Sequence, residues 1–284
     1  MEARRFLSLP IEERQALALE NSAAFRGYTT LGDERTRGHT DWRDQLDFGP
    51  EQEAPPPGHG GPAWCRLRGP NQWPASIPEL STIALSWLDD MLELGVKVLR
   101  ALALSLGQPM DHFDSAFIPN HDLHAKIIRY PAGNRDSDQG VGLHHDSGLL
   151  TFILQGSVPG LEVQIGDELI RVEPLPGAYV MNLGAMMQTA TNGYFLATPH
   201  RVVSPDGDED RISVVLFFNP AFESTFEPLD LPPELARHER PQPVDLKGEP
   251  IHTRFGENNL KVRLRSHPDV AARHYPDVLT TQEK

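Results

Sequence analysis

The residues best suited to chemistry in this 284-residue chain are His144, Asp146 and His200. His144-His145-Asp146 leads into an apolar β-like run, Leu149-Leu-Thr-Phe-Ile-Leu. Side chains at i and i+2 of a strand share a face, so His144 and Asp146 are expected to aim at one point while His145 turns away. His200 stands in a second β-like run, Ala197-Thr-Pro-His-Arg-Val-Val. Two imidazoles and one carboxylate can take one face of an octahedral ion and leave its other positions open, the donor set of non-haem Fe(II) oxygenase sites. Zinc can also take two histidines, one aspartate and a water. The chain has twelve histidines, so a His-x-Asp pair alone carries little weight.

A second constellation follows. Arg211-Ile212-Ser213 begins an apolar strand-like run, and Arg211 and Ser213 share one face by the same period of two. A guanidinium is a planar fork that grips a carboxylate through two hydrogen bonds, and a hydroxyl can add a third. The pair is therefore a candidate carboxylate anchor near the metal. An arginine in a surface ion pair is the plainer alternative.

The elements that must position these groups divide the chain in three. Residues 1–120 read as a helical and loop region. Pro10 followed by Ile11-Glu12-Glu13 predicts a helix to about Leu19. A longer helix is predicted from near Pro78 to a stop at Gly107, with Leu80, Ala84, Trp87, Met91, Leu94, Val98 and Leu102 as its apolar stripe. Residues 50–62 are too rich in proline for helix or central strand and read as an exposed loop. Residues 121–225 hold short β-rich runs at 125–130, 149–155, 161–165, 169–173, 178–183, 196–203 and 212–218, punctuated by turn residues such as Gly160, Gly166-Asp167 and Asn192-Gly193. That spacing predicts a sandwich, jelly roll or barrel. A second Pro-rich zone covers about 219–250, and residues 226–284 read as a C-terminal extension with some helix.

Composition excludes several classes. The formal net charge is −14, which disfavours non-specific binding of nucleic acid or of an anionic membrane surface. Cys65 is the sole cysteine, so no intrachain disulfide or thiolate zinc cluster can form, and no base nearby in sequence marks it as a nucleophile. The first residues lack the apolar core of a signal peptide, and no apolar run is long enough to span a bilayer, which together predict a cytoplasmic protein.

The stretch from Gly142-Leu-His-His-Asp-Ser-Gly-Leu-Leu-Thr through Leu183-Gly-Ala-Met and Thr191-Asn-Gly-Tyr-Phe-Leu-Ala-Thr-Pro-His-Arg-Val to Asp210-Arg-Ile-Ser closely resembles the isopenicillin N synthase-like family of Fe(II)/2-oxoglutarate-dependent oxygenases. The resemblance is firm over about 125–220 and looser over 20–275. It implies a mainly β fold with flanking helices, built on a double-stranded β-helix, or jelly-roll, core. It implies Fe(II) and O2, with 2-oxoglutarate as co-substrate. His144, Asp146 and His200 match the iron ligands; Arg211 and Ser213 match the pair that holds the far carboxylate of 2-oxoglutarate. Tyr130, in Arg-Tyr-Pro, matches a tyrosine that also touches the co-substrate. Family members often carry asparagine two residues earlier, where this chain has Ile128, so one hydrogen bond is lost or replaced. Lys126 shares a strand face with Ile128 and Tyr130, which makes it a candidate for a substrate or co-substrate carboxylate. The resemblance implies that the chain begins after the family's usual first strand-and-helix segment.

Phe25-Arg-Gly-Tyr, Asp41-Trp-Arg-Asp and Gly69-Pro-Asn-Gln-Trp-Pro resemble a bacterial subgroup. Arg26, Arg43 and Trp73 could reach a substrate, although loop packing is the plainer role; His121, His124 and His145 are not read as ligands. The implied activity is oxidation of a small-molecule C–H bond, coupled to conversion of 2-oxoglutarate to succinate and CO2. The alternatives are an iron oxidase of the same family that uses no 2-oxoglutarate, a catalytically weak relative that only binds iron or 2-oxoglutarate, and a zinc hydrolase on a β scaffold. Global charge mildly favours a neutral or cationic substrate. Nothing in the sequence sets the oligomeric state.

Overall fold

Alternating apolar and polar residues in the middle of the chain become the strands of two facing sheets. The computed structural model describes residues 2–56, 58–133, 138–236 and 251–282. In chain order the elements are α1 (Glu2–Leu7), α2 (Ile11–Gln15), β1 (Gly27–Thr29), β2 (Arg35–Thr36), β3 (His39–Thr40), β4 (Asp44–Phe48), α3 (Glu79–Ser105), β5 (His124–Tyr130), β6 (Gln139–His144), β7 (Leu150–Gln155), β8 (Leu161–Ile165), β9 (Glu168–Arg171), β10 (Val180–Leu183), α4 (Ala185–Ala190), β11 (His200–Val203), β12 (Arg211–Phe218), α5 (Phe255–Ser266), α6 (Pro268–His274) and α7 (Pro276–Gln282).

The major sheet runs β1-β4-β5-β12-β7-β10 and the minor sheet β6-β11-β8-β9, with antiparallel pairing throughout. Ile128, Val141, Ile153, Leu161, Val202 and Val215, drawn from both sheets, close a small apolar core between them. This is the expected double-stranded β-helix. The outer face of the major sheet carries the larger core, where Phe152, Leu216 and Phe218 meet α3 and the N- and C-terminal segments. Each fully buried Leu or Phe there is worth about 1.5–3 kcal/mol of transfer free energy.

Several expectations shift. α2 ends at Gln15 rather than Leu19, and Leu19–Asn21 is a short 3-10 turn. α3 forms as predicted, and Gly107 follows it with φ +70°, the left-handed geometry that ends helices. Its buried face runs through Leu80, Ala84, Leu88, Met91, Gly95, Val96, Leu99 and Ala103, while Leu94 is exposed, so the buried stripe is rotated from the predicted one. Residues 50–56 and 58–62 contain no helix or strand, as predicted. Four strands lie before residue 121 where none was predicted, and β1 and β4 extend the major sheet. The predicted run 196–203 is strand only from His200. Part of the second Pro-rich zone, 237–250, lies outside the described residues.

The N-terminal strands are held by charge as well as apolar contact. Buried Asp44 on β4 accepts hydrogen bonds from Arg14 (2.6 Å), Tyr28 (2.6 Å) and both Nε and Nη2 of Arg129 (2.8 Å each). Every donor is matched at close range, which a buried carboxylate requires.

Candidate active site

His144 and His200 are brought together by strand pairing: they are direct register partners at the adjoining ends of β6 and β11. Their ring centroids are 4.4 Å apart. Each Nδ1 faces a backbone carbonyl, Gly142 O at 2.8 Å and Thr198 O at 3.0 Å. Those contacts place the proton on Nδ1 and leave each Nε2 lone pair free, as a metal-binding imidazole needs. Both Nε2 atoms lie 3.7 Å from a carboxylate oxygen of Asp146, and one ligand atom from each residue can be chosen so that all three lie within 4.8 Å of one another.

Asp146 arrives differently from the prediction. His144 closes β6, a strand absent from the sequence reading, and Asp146 lies in the loop before β7. The first amides of α4 pin that loop: Ala185 N donates to Asp146 O at 2.8 Å and Met186 N to Gly148 O at 3.2 Å. Gly184 must be glycine, because a Cβ there would sit 2.1 Å from Gly148 O. The Leu183-Gly-Ala-Met segment is therefore the backstop of the carboxylate. Asn182 Nδ2 donates to Asp146 Oδ2 at 2.7 Å, fixing its orientation. Burial alone would raise the pKa of Asp146; the two imidazoles and the hydrogen bonds from Asn182 and Thr151 reverse this and hold it below the ordinary range. Burial, then neighbouring His200, holds the pKa of His144 below that of a free imidazole. The site therefore favours a charged Asp146 carboxylate beside a neutral His144 imidazole.

Behind the triad a narrow pocket leads between the sheets to Arg211, which is 1% exposed. Arg211 lies opposite Tyr130 in the β12–β5 register, and its guanidinium sits 4.9 Å from the centre of the Tyr130 ring. Its Nη1 donates to Ser213 Oγ at 3.3 Å and its Nη2 to Gln155 Oε1 at 3.2 Å. Its Nε has no partner, and among the described residues no carboxylate pairs with it. A buried guanidinium served only by neutral acceptors is costly until an anion arrives, so the end of this pocket suits a carboxylate. Ile128 lines the same pocket where an asparagine was the family expectation, and Arg43 enters it from the β3–β4 connection with its Nε also unpartnered.

On the other side of the triad opens a cavity of about 530 Å³. His144, His145 and Asp146 form part of its wall, and Lys126, Arg43, Glu34 and Arg263 line it as well. Its basic lining runs opposite to the chain's overall charge. His124 and Arg26 lie beneath it, bonded to each other at 2.5 Å, while Trp73 packs on Phe48 with ring centroids 5.7 Å apart. The sequence reading did not single out Glu34, Asp47 and Arg263. The one available signal was the pair of acids in Asp44-Gln-Leu-Asp-Phe, which make sense in a strand only if buried cations meet them.

Known proteins are similar to this chain in sequence and in fold. A sequence model of the 2OG-Fe(II) oxygenase superfamily matches residues 113–220, and one of the non-haem dioxygenase in morphine synthesis N-terminal region matches residues 1–76. The chain is 34% identical to a 2-oxoglutarate-dependent dioxygenase of Dothideomycetidae sp., covering 98% of this chain and 80% of that one. It is 31% identical to a homoarginine-6-hydroxylase of Arabidopsis thaliana, covering 80% of this chain and 70% of that one. A Neurospora crassa protein, solved in complex with alpha-KG and thymine, superposes with a TM-score of 0.67 at 26% identity, over 85% of this chain and 78% of that one. The chain belongs to the 2OG-Fe(II) oxygenase superfamily. It is an Fe(II)- and 2-oxoglutarate-dependent dioxygenase that acts on a small molecule. The match over 1–76 lies within the N-terminal region read from the sequence as residues 1–120.

Among the described residues no helix is long and apolar enough to cross a membrane.

Proposed function

We propose that His144, Asp146 and His200 hold the iron, and that Arg211, Ser213 and Tyr130 hold 2-oxoglutarate in the pocket behind it. The observation that carries this reading is the buried Arg211 with no carboxylate partner among the described residues, at the end of a pocket that begins at the triad. The bound iron and co-substrate supply O2 activation, with succinate and CO2 as co-products. The protein does the rest. The Nδ1–carbonyl contacts aim both imidazoles, and Asn182 and the α4 backstop fix the carboxylate. Arg211 and Ser213 give the far carboxylate charge-assisted bonds in a water-poor slot, which sets how deep the co-substrate sits. Ile128, Ile153 and Val215 exclude water along its length.

The finer placement in the isopenicillin N synthase-like branch is supported by the sequence motifs and by the pairing of an N-terminal dioxygenase segment with the oxygenase core. The bacterial placement draws on the short Phe25, Asp41 and Gly69 motifs alone, and the two curated relatives named above are fungal and plant proteins. We also propose that the protein does not bind nucleic acid and works in the cytoplasm; its net charge of −14 and its single cysteine support these readings.

The test is iron content and succinate yield. Wild-type protein loaded with Fe(II) and supplied with 2-oxoglutarate and O2 should form succinate even without a matched substrate, at a slow uncoupled rate. His200→Ala should lose both bound iron and succinate. Iron uptake unchanged in His200→Ala would refute the ligand assignment, and turnover of O2 without succinate would point to a 2-oxoglutarate-independent oxidase.

A further inference from the structure

The large cavity is walled by a cluster whose charges do not cancel. Asp47, wholly buried on β4, has its Oδ1 shared by three groups: His124 Nε2 at 2.7 Å, Arg263 Nη1 at 3.3 Å and Lys126 Nζ at 3.6 Å. Glu34 is likewise ringed by Arg43 at 2.5 Å, Lys126 at 3.1 Å and His267 Nε2 at 3.1 Å. Asp41 lies 3.7 Å from Arg43 and also accepts bonds from Thr36 and Gln139. Arg43, Lys126 and Arg263 thus meet three carboxylates, and Arg26 below them adds a fourth cation that bonds Phe48 O and His124 and none of these carboxylates. Burial keeps His124 neutral, so it does not add to the cations.

The donors are also incompletely used. Arg263 spends Nη1 on Asp47, and its Nε and Nη2 have no partner among the described residues. Lys126 has one acceptor at hydrogen-bond distance, Glu34, for three N–H donors. Both residues line the cavity, and their shared contact with Asp47 holds them side by side. The β2–β3 hairpin adds the exposed Arg35 and Arg37 to the lining, and neither forms an ion pair among the described residues. Val141, Phe217 and Val262 add an apolar lining to the same cavity, which His144 and Asp146 also line.

We propose that this cavity takes a substrate with an anionic head, a carboxylate or phosphonate, held by Lys126 and Arg263, with its uncharged body laid along the apolar wall toward the triad. The inference rests on the triad being the oxidising centre. Excess positive charge in a low-dielectric pocket draws an anion and repels a cation. Two adjacent cations with spare donors match the two or three oxygens of such a group. The proposal reverses the expectation of a neutral or cationic substrate drawn from net charge, because basic residues outnumber acidic ones in the lining of this cavity.

The experiment is ligand-observed saturation-transfer NMR on the full chain with Zn(II) in place of iron and 2-oxoglutarate present. The probes share one skeleton: 4-phenylbutyrate, 4-phenylbutylphosphonate, 4-phenylbutyramide and 4-phenylbutylamine. The two anions should bind at least about tenfold more tightly than the amide and the amine, the scale of one charge-assisted contact. The better of the two anions tells carboxylate from phosphonate. Lys126→Met and Arg263→Met should each remove most of that preference, and Lys126→Arg should keep it, with melting curves identifying any variant that has not folded. Arg211→Met should silence 2-oxoglutarate and leave the phenyl anions bound, so failure of the co-substrate assignment shows in a different signal. Equal binding of amide or amine, anion binding unaffected by both Met variants, or no binding by any probe would overturn the proposal.

Discussion

Two buried sets of cations flank the triad, and they are built on opposite plans. Arg211 has no carboxylate partner among the described residues and touches a hydroxyl, an amide oxygen and a tyrosine ring. Lys126, Arg43 and Arg263 sit in a lattice of carboxylates. An isolated buried charge works against folding until its counter-ion binds, whereas a paired cluster is part of the scaffold, since losing one partner strands the rest. The difference teaches how to read a buried arginine: its missing partner describes the ligand, and its present partners describe the fold.

Substitutions separate the two plans. The largest effect on folding is expected at Glu34→Gln, which leaves Arg43 and Lys126 undercompensated; breaking a buried pair costs about 3–5 kcal/mol, visible as a shift of the denaturation midpoint. Arg211→Met should do the reverse. The apoprotein should be as stable as wild type or more so, while 2-oxoglutarate affinity falls by about 100-fold, or about 2.7 kcal/mol, measured by titration calorimetry on the metal-loaded protein. Equal destabilisation by both substitutions would erase the distinction.

Smaller effects sharpen it. Asn182→Ala removes the bond that orients Asp146 and should weaken iron binding by about 10–100-fold, read by competition with a chelator, with little change in melting temperature. Acid should act mainly through the paired cluster. Burial holds His124 well below its ordinary 6.5, so the unfolded chain takes up that proton first and stability falls as pH drops below about 6.5. Burial alone would raise the Asp47 pKa, but Lys126, His124 and Arg263 more than reverse it. Its contribution is present above the unfolded value of about 3.9 and is lost as pH falls further. Urea midpoints between pH 7 and 3.5 should decline in that order, and Arg211→Met should follow the same curve as wild type.

The parts of this architecture differed in how legible they were in the sequence. His144, Asp146 and His200 could be found because their side chains carry chemistry and their spacing is restrictive. The strand that presents His144 could not: Gly140 and Gly142 stand where β6 would show apolar alternation, and a Cβ at Gly140 would meet the Tyr130 ring at 2.8 Å. β4 hid for a related reason. Its buried side chains include Asp44, Gln45 and Asp47, which read as surface until cations distant in sequence satisfy them. Arg263 reaches Asp47 across 216 positions, and no local pattern encodes that meeting. The Arg211–Ser213 face was legible because period-two geometry is local; that Arg211 has no carboxylate partner among the described residues became visible only in three dimensions.

The most direct test of the central claim is visible absorbance of the anaerobic Fe(II) protein titrated with 2-oxoglutarate, in wild type and Arg211→Met. Chelation of ferrous iron by the 2-oxo acid should give a charge-transfer band in wild type that saturates at low co-substrate, and the same band should require about 100-fold more 2-oxoglutarate in the variant. No band in the iron-loaded wild type, or a band that saturates identically in both proteins, would contradict the assignment of Arg211 as the waiting partner of the co-substrate.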